Sequence, residues 1–241
     1  MLRSGSGHSL FGFWMAVIEV DLWTVGLRPP TSVLAALEEL LSQAELDRAN
    51  RFRFAKDRQA HVAAHGALRQ ILATYLNCSP SDIGFGETAN GKPAVDGIQF
   101  NLSHSADLAL VAVTRERALG VDVEHVDPHR ADRNVAKRFF SPYEIRVLES
   151  LPEEQQTEAF LNCWTRKEAY LKALGLGMSV PLDSFDVSLA PGEPAALLRG
   201  ADPRWKLRSF VPVPGYIGAV AIDAACDETA LAFRSFATLV S

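Results

Sequence analysis

The chain has 241 residues, 48% of them hydrophobic and 22% charged, enough to bury roughly 70–75% of the surface its unfolded form exposes. No run of about 18 apolar residues occurs, because Glu19 and Asp21 break the most apolar early stretch, so a helical membrane span is excluded. The net charge of −5 argues against a nucleic-acid partner. Three scattered cysteines, Cys78, Cys163 and Cys226, fit neither a disulfide framework nor zinc spacing, and a reducing, cytoplasmic setting is expected.

Residues 1–15 are expected to form a disordered extension, since Gly, Ser and His dilute its short apolar patch and no cleavage site follows. MAVIEVDLWTV alternates with the period of a strand. After Pro29-Pro30, TSVLAALEELL repeats leucine at helical spacing, and Ser42 with Glu45 three residues on is a capping-box signature for a second short helix. From about Lys56 to Leu76 the pattern predicts one long helix, ended by Asn77-Cys78-Ser79-Pro80. Residues 83–124 then read as short strands, IGFGE, IQFNLSH, LALVAVTR and LGVDVEHV, for which one small antiparallel sheet is the simplest arrangement.

Ser141-Pro142 looks like an N-cap followed by proline at the first helical position, and Leu151-Pro152 repeats the device before a long helix closed by Gly175. SFDVSL, RWKLRSFV, YIGAVAID and LAFRSF are strand-like again. Each half thus offers helices and strands in a similar order. That is compatible with two related subdomains meeting near residues 115–120 and equally with a single α+β domain without internal symmetry.

In LGVDVEHV, Asp122 and Glu124 sit two apart on a strand and leave the same face. Two adjacent anions are cheap only when solvated or when a cation such as Mg²⁺ lies between them, and the pattern alone favours the solvated face. In FLNCWTRKEAYLKALGLG, Trp164, Glu168 and Lys172 share one helix face, with Lys167 about 100° around. A stabilising Glu–Lys pair explains that spacing as well as chemistry does. FNLSHS ends a strand with Ser103 and His104, which as sequence neighbours without a third member do not make a protease triad. The Gly175-x-Gly177 pair follows a helix, where a dinucleotide fingerprint must follow a strand. A basic run, Arg48, Arg51, Arg53, Lys56 and Arg58, interleaved with Phe52 and Phe54, suits either a phosphate rim or a solvated face.

In their order along the chain, RFRFAKDRQAHVAAHGALR, GKPAV, FNLSHS, LGVDVEHV, RFFSPYE and FLNCWTRKEAYLKALGLGMSVPLDSF resemble the 4′-phosphopantetheinyl transferases of the larger, surfactin-synthetase-activating (Sfp) type over roughly residues 17–225. The resemblance implies a pseudo-dimeric α+β fold of two similar subdomains, 16–117 and 118–241, with coenzyme A in the cleft between them. It also implies an activity: Mg²⁺-dependent transfer of the phosphopantetheine arm from coenzyme A to a serine of an acyl or peptidyl carrier protein, releasing adenosine 3′,5′-bisphosphate. By the same resemblance Asp122, Glu124 and Glu168 bind Mg²⁺, while Lys167 and Lys172 approach the phosphates. Glu144 is a base for the carrier serine, with Glu168 as its rival. Lys92, Pro93, Ser103 and His104 contact the coenzyme, and Arg51 and Arg53 surround its 3′-phosphate. A monomer serving fatty acid, polyketide or nonribosomal peptide synthesis is implied, with neither membrane nor nucleic acid as partner. Two rivals stand beside it: a carrier-binding module without turnover, and a Mg²⁺-dependent nucleotide hydrolase, which lacks the glycine loop it would need.

Overall fold

The computed structural model of the protein describes residues 17–115, 117–128, 132–224 and 229–238; the expected extension at residues 1–15 and Cys226 lie outside them. The first half contains β1 (Ile18–Gly26), α1 (Thr31–Glu38), α2 (Gln43–Ala49), α3 (Ala55–Leu76), the small hairpin β2 (Gly86–Glu87) and β3 (Pro93–Ala94), then β4 (Gln99–Ser105) and β5 (Leu108–Thr114). The second contains β6 (Leu119–His125), α4 (Arg133–Phe139), α5 (Pro142–Ser150), α6 (Glu153–Leu174), β7 (Trp205–Phe210), β8 (Tyr216–Asp223) and β9 (Thr229–Ser235). No described helix is long and apolar enough to cross a membrane.

The β2–β3 hairpin and β9 aside, both halves run strand, three helices, two strands. Their sheets repeat the same order, β4-β5-β1 and β7-β8-β6, with every neighbouring pair antiparallel. β9 breaks the symmetry by returning to pair parallel with β1, so the last strand of the second half completes the sheet of the first.

The layers follow from which faces are apolar. On β1, Val20 and Leu22 point one way and Trp23 and Val25 the other, and all four are buried. β5 is buried along its whole length, which is why LALVAVT shows no alternation. One face of this sheet packs beneath α3, through Ala63, Leu68, Ile71 and Leu72; its other face meets Val121 and Val123 of β6 and Val220 and Ile222 of β8. α6 covers the far side of the second sheet. The order is helix, sheet, sheet, helix.

The expectation of one sheet over residues 83–124 is therefore corrected. β4 and β5 join β1, while β6 opens the second sheet, because its valines are buried by packing face to face on the first. SFDVSL makes only a bridge between Val187 and Leu197, α4 was not foreseen, and α6 starts from Pro152 with no side-chain cap.

The tightest packing is α6 on β6. A Cβ added to Gly120 would lie 2.2 Å from Ala173 N and 2.3 Å from Ala169 O. Ala169 and Ala173 on the helix meet Ala219 and Ala221 on the sheet, so small residues on both sides let the backbones touch. Gly120→Ala is expected to lower the unfolding free energy by at least ~3 kcal/mol, measured by denaturant unfolding, since neither backbone can yield to the added methyl.

Candidate active site

Because side chains alternate along a strand, Asp122 and Glu124 share the face of β6 that carries Gly120, the face turned to α6. The helix supplies the complement. Between Ala159 and Leu174 every residue is buried except Trp164, Glu168, Lys172 and Leu174, so the stripe read from helical spacing is the open one. Lys172 Nζ donates to Asp122 Oδ1 at 2.6 Å and to Ser103 Oγ of β4 at 2.9 Å, while Ser103 Oγ donates to the same Oδ1 at 2.7 Å. Asp122 is 4% exposed, and its Oδ2 is buried with no hydrogen-bond partner. Ser105 Oγ donates to Glu124 Oε2 at 2.6 Å.

Burial and then the neighbouring Asp122 charge push the Glu168 carboxyl above its ordinary range; Lys172 opposes the shift and Glu124 adds to it. Burial, followed by the charges of Lys172 and His65, holds the His104 imidazole below its ordinary value, with Asp122 opposing. Lys92 Nζ donates to Leu119 O at 2.6 Å, its stem lies against Gly175, and burial brings its pKa down to about 8. Gly175 has φ +66°, a left-handed position that suits glycine, and it ends α6 where Lys92 arrives. Pro93 is exposed beside it on β3.

Two expected site residues lie elsewhere. Glu144 and Lys167 are each 0% exposed and form an ion pair at 2.8 Å in the interior. Glu144 closes the capping box of α5 by accepting from Ser141 N, and its other oxygen accepts from Val187 N. Lys167 spends its remaining donors on Leu182 O and Phe185 O, at 2.7 and 2.6 Å. Both are closed off from the surface, so this geometry lends no support to a base at Glu144 or a phosphate contact at Lys167. The first half repeats this arrangement. Glu45 closes the capping box of α2, Arg69 of α3 pairs with it at 2.8 Å, and Arg69 Nη1 donates to Pro80 O and Ile83 O. Each acid thus ties a short helix, a long helix and the following loop together.

Arg51 and Arg53 lie on the exposed connection between α2 and α3, Arg53 above the Phe54 ring. From there a run of rings leads inward: Phe52 contacts His61, and His61 lies 4.1 Å from His65, whose charge reaches His104. Sequence reasoning passed over His61 and His65; their i, i+4 spacing in AHVAAHG was the available signal. On the other side of Lys172 opens a pocket of about 450 Å³ lined by Arg138, Phe139, Glu168, Lys172, Pro181 and Asp183 among others.

Among the described residues no three His, Cys, Asp or Glu side chains stand together closely enough to hold a metal ion. Glu168 does feel the charges of Asp122 and Glu124, and Asp122 presents a buried oxygen without a partner. That donor set suits a hard dication.

Comparison with known proteins matches the chain in two stretches. Residues 27–116 match the 4′-phosphopantetheinyl transferase N-terminal family, and residues 118–221 match the 4′-phosphopantetheinyl transferase superfamily. The chain is 43% identical to 4′-phosphopantetheinyl transferase HetI of Nostoc sp. over 210 residues, 85% of this chain and 87% of the relative. It is 29% identical to 4′-phosphopantetheinyl transferase Sfp of Bacillus subtilis over 184 residues, 75% and 81% of the two chains. The solved apo-ACPS structure from Chronobacterium ammoiniagenes aligns with 44% of this chain and 94% of its own at 21% identity and a TM-score of 0.35. The chain belongs to the 4′-phosphopantetheinyl transferase superfamily, a family of transferase enzymes.

The buried pair yields a prediction. Glu144→Gln leaves Lys167 charged and unpaired and is expected to cost ~3–5 kcal/mol of stability, whereas Glu144→Gln with Lys167→Met recovers most of it. Denaturant unfolding of the single and double variants checks this.

Proposed function

We propose that the protein transfers the 4′-phosphopantetheine group of coenzyme A to a serine of an apo acyl or peptidyl carrier protein, in a Mg²⁺-dependent reaction that releases adenosine 3′,5′-bisphosphate. The observation that carries this reading is the convergence of Asp122, Ser103 and Lys172 at one point beside Glu168, between the two halves of a fold whose relatives are named 4′-phosphopantetheinyl transferases. Asp122, Glu124 and Glu168 are the donors for Mg²⁺. When bound there, the ion offsets charge that develops on the pyrophosphate oxygens as the bond breaks.

In the reaction the carrier serine oxygen bonds to the phosphorus bearing the pantetheine arm, and the bond from that phosphorus to the adenosine bisphosphate breaks. Lys172 is partly exposed on the open face of α6, where it would meet the leaving phosphate. Its ammonium, held at Asp122 in the resting chain, neutralises that group. The serine proton passes to a carboxylate or water at the pocket. Of the two candidate bases only Glu168 lines it, since Glu144 has no exposed surface. Lys92, His104 and Ser103 grip the coenzyme on the side of the first half, with Arg51 and Arg53 at the outer rim. Nothing in this chemistry requires an enzyme nucleophile. The two halves already supply both walls of the cleft, which fits a monomer, and the absence of any bilayer or nucleic-acid requirement in the reaction fits a cytoplasmic enzyme.

The direct test is intact mass of an apo carrier protein after incubation with this chain, coenzyme A and Mg²⁺. A gain equal to one phosphopantetheine, abolished by EDTA, is the expected result; no gain with several carriers despite coenzyme binding points instead to the module without turnover. Asp122→Ala is expected to lower the transfer rate at least ~100-fold, and Lys172→Ala to lower kcat more than it raises KM.

Lys92 adds a pH dependence. Its ammonium is charged below about 8 and loses its proton as pH rises through that value, so coenzyme affinity weakens above pH about 8. Calorimetric titration of coenzyme A from pH 6.5 to 9.5 measures it, and Lys92→Gln is expected to flatten the dependence.

A further inference from the structure

β4 carries Asn101, Ser103 and Ser105 at alternate positions, so three polar side chains leave one face while Phe100 and Leu102 leave the other for the core beneath α3. β4 and β6 belong to different sheets, and the polar side chains join them in register. Asn101 Oδ1 accepts from Val121 N at 2.8 Å, Ser103 serves Asp122, and Ser105 serves Glu124. Ser105 is 4% exposed, and its hydroxyl makes two bonds at once: it accepts from His125 N at 3.1 Å and donates to Glu124 Oε2 at 2.6 Å. A hydroxyl held by a backbone N–H in this way has its proton aimed at the carboxylate. The position of Ser105 is itself fixed. Ala106, next in sequence, takes φ +49° in the β4–β5 turn, and Asp107 N donates to the Tyr216 hydroxyl of β8, pinning the turn to the second half.

Glu124 needs such a hold. It lies at the end of β6, only partly buried, and the charges of Asp122 and Glu168 stand near it. Like charges nearby favour turning a flexible glutamate toward water, and the Ser105 hydrogen bond acts against that turn. Resting on the reading of Asp122, Glu124 and Glu168 as Mg²⁺ donors, we propose that Ser105 is a positioning residue: its hydroxyl fixes the Glu124 carboxylate in the orientation that receives the ion. Ser103 does not duplicate this, since it is shared between Asp122 and Lys172. The hydroxyl touches neither substrate nor reacting atoms, so its effect belongs to metal affinity.

Mn²⁺ binding to the full chain, followed by electron paramagnetic resonance in the absence of substrates, tests the proposal. Ser105→Ala is expected to weaken Mn²⁺ binding ~10–100-fold, and Ser105→Thr, which keeps the hydroxyl, to restore it to within a few-fold. In the transfer assay the Mg²⁺ concentration needed for half-maximal rate rises in proportion for Ser105→Ala, while kcat at saturating Mg²⁺ returns near the wild-type value. If Ser105→Ala lowers the metal-free unfolding midpoint sharply, Ser105→Cys, with similar volume and a weaker donor, is measured in its place, and the same loss of Mn²⁺ affinity is expected. Wild-type Mn²⁺ affinity in the alanine and cysteine variants overturns the positioning role while leaving the transferase reading intact. A wild-type chain that neither binds Mn²⁺ nor transfers in a metal-dependent way overturns the Mg²⁺ reading and the Ser105 proposal with it.

Discussion

The contact between α6 and β6 at Gly120 sets how closely Glu168 and Lys172 of the helix approach Asp122 and Glu124 of the strand. A side chain at 120 would push the helix away from the sheet, and Lys172 could then no longer reach Asp122 two residues along the strand. At that spacing a nearly buried carboxylate and an ammonium share a setting of low polarity, where attraction is strong and an unmatched charge is costly. The resting chain meets that cost for one oxygen of Asp122 with Lys172 and Ser103, and leaves the second oxygen without a partner.

The architecture is one design used twice. Each half folds three helices over an antiparallel sheet, and in each a glutamate from a capping box reaches across to a cation on the long helix, which in turn holds two carbonyls of the next loop. The partners differ, Arg69 in one half and Lys167 in the other. Counted along the helix from those cations, the places of Glu168 and Lys172 on α6 correspond to Gln70 and Thr74 on α3. The duplicated frame is therefore chemically asymmetric. The second half supplies the carboxylates and Lys172; the first supplies Lys92, Ser103 and His104 as the opposite wall. β9, crossing back to β1, fastens the two together.

Much of this was legible in the sequence because it is local. Capping signatures, helical periodicity and the Asn77 and Gly175 terminators fix where the helices start and stop, and these depend on neighbours within four residues. The open stripe of Trp164, Glu168 and Lys172 was readable for the same reason. The burial of Glu144 and Lys167 was not legible for a physical reason: Ser141-x-x-Glu144 is a capping box whose glutamate also serves residues more than twenty positions away, and burial is not a local property.

The sequence by itself determined most of the elements, though not α4, together with the family and the inventory of acids and bases. Only the tertiary structure decided which of them face solvent, that β6 leaves the sheet of its neighbours to open a second one, and that Ser105 meets Glu124. Those outcomes depend on pairing between strands and on how closely two backbones can approach, and long-range packing selects among partners that local patterns leave equivalent.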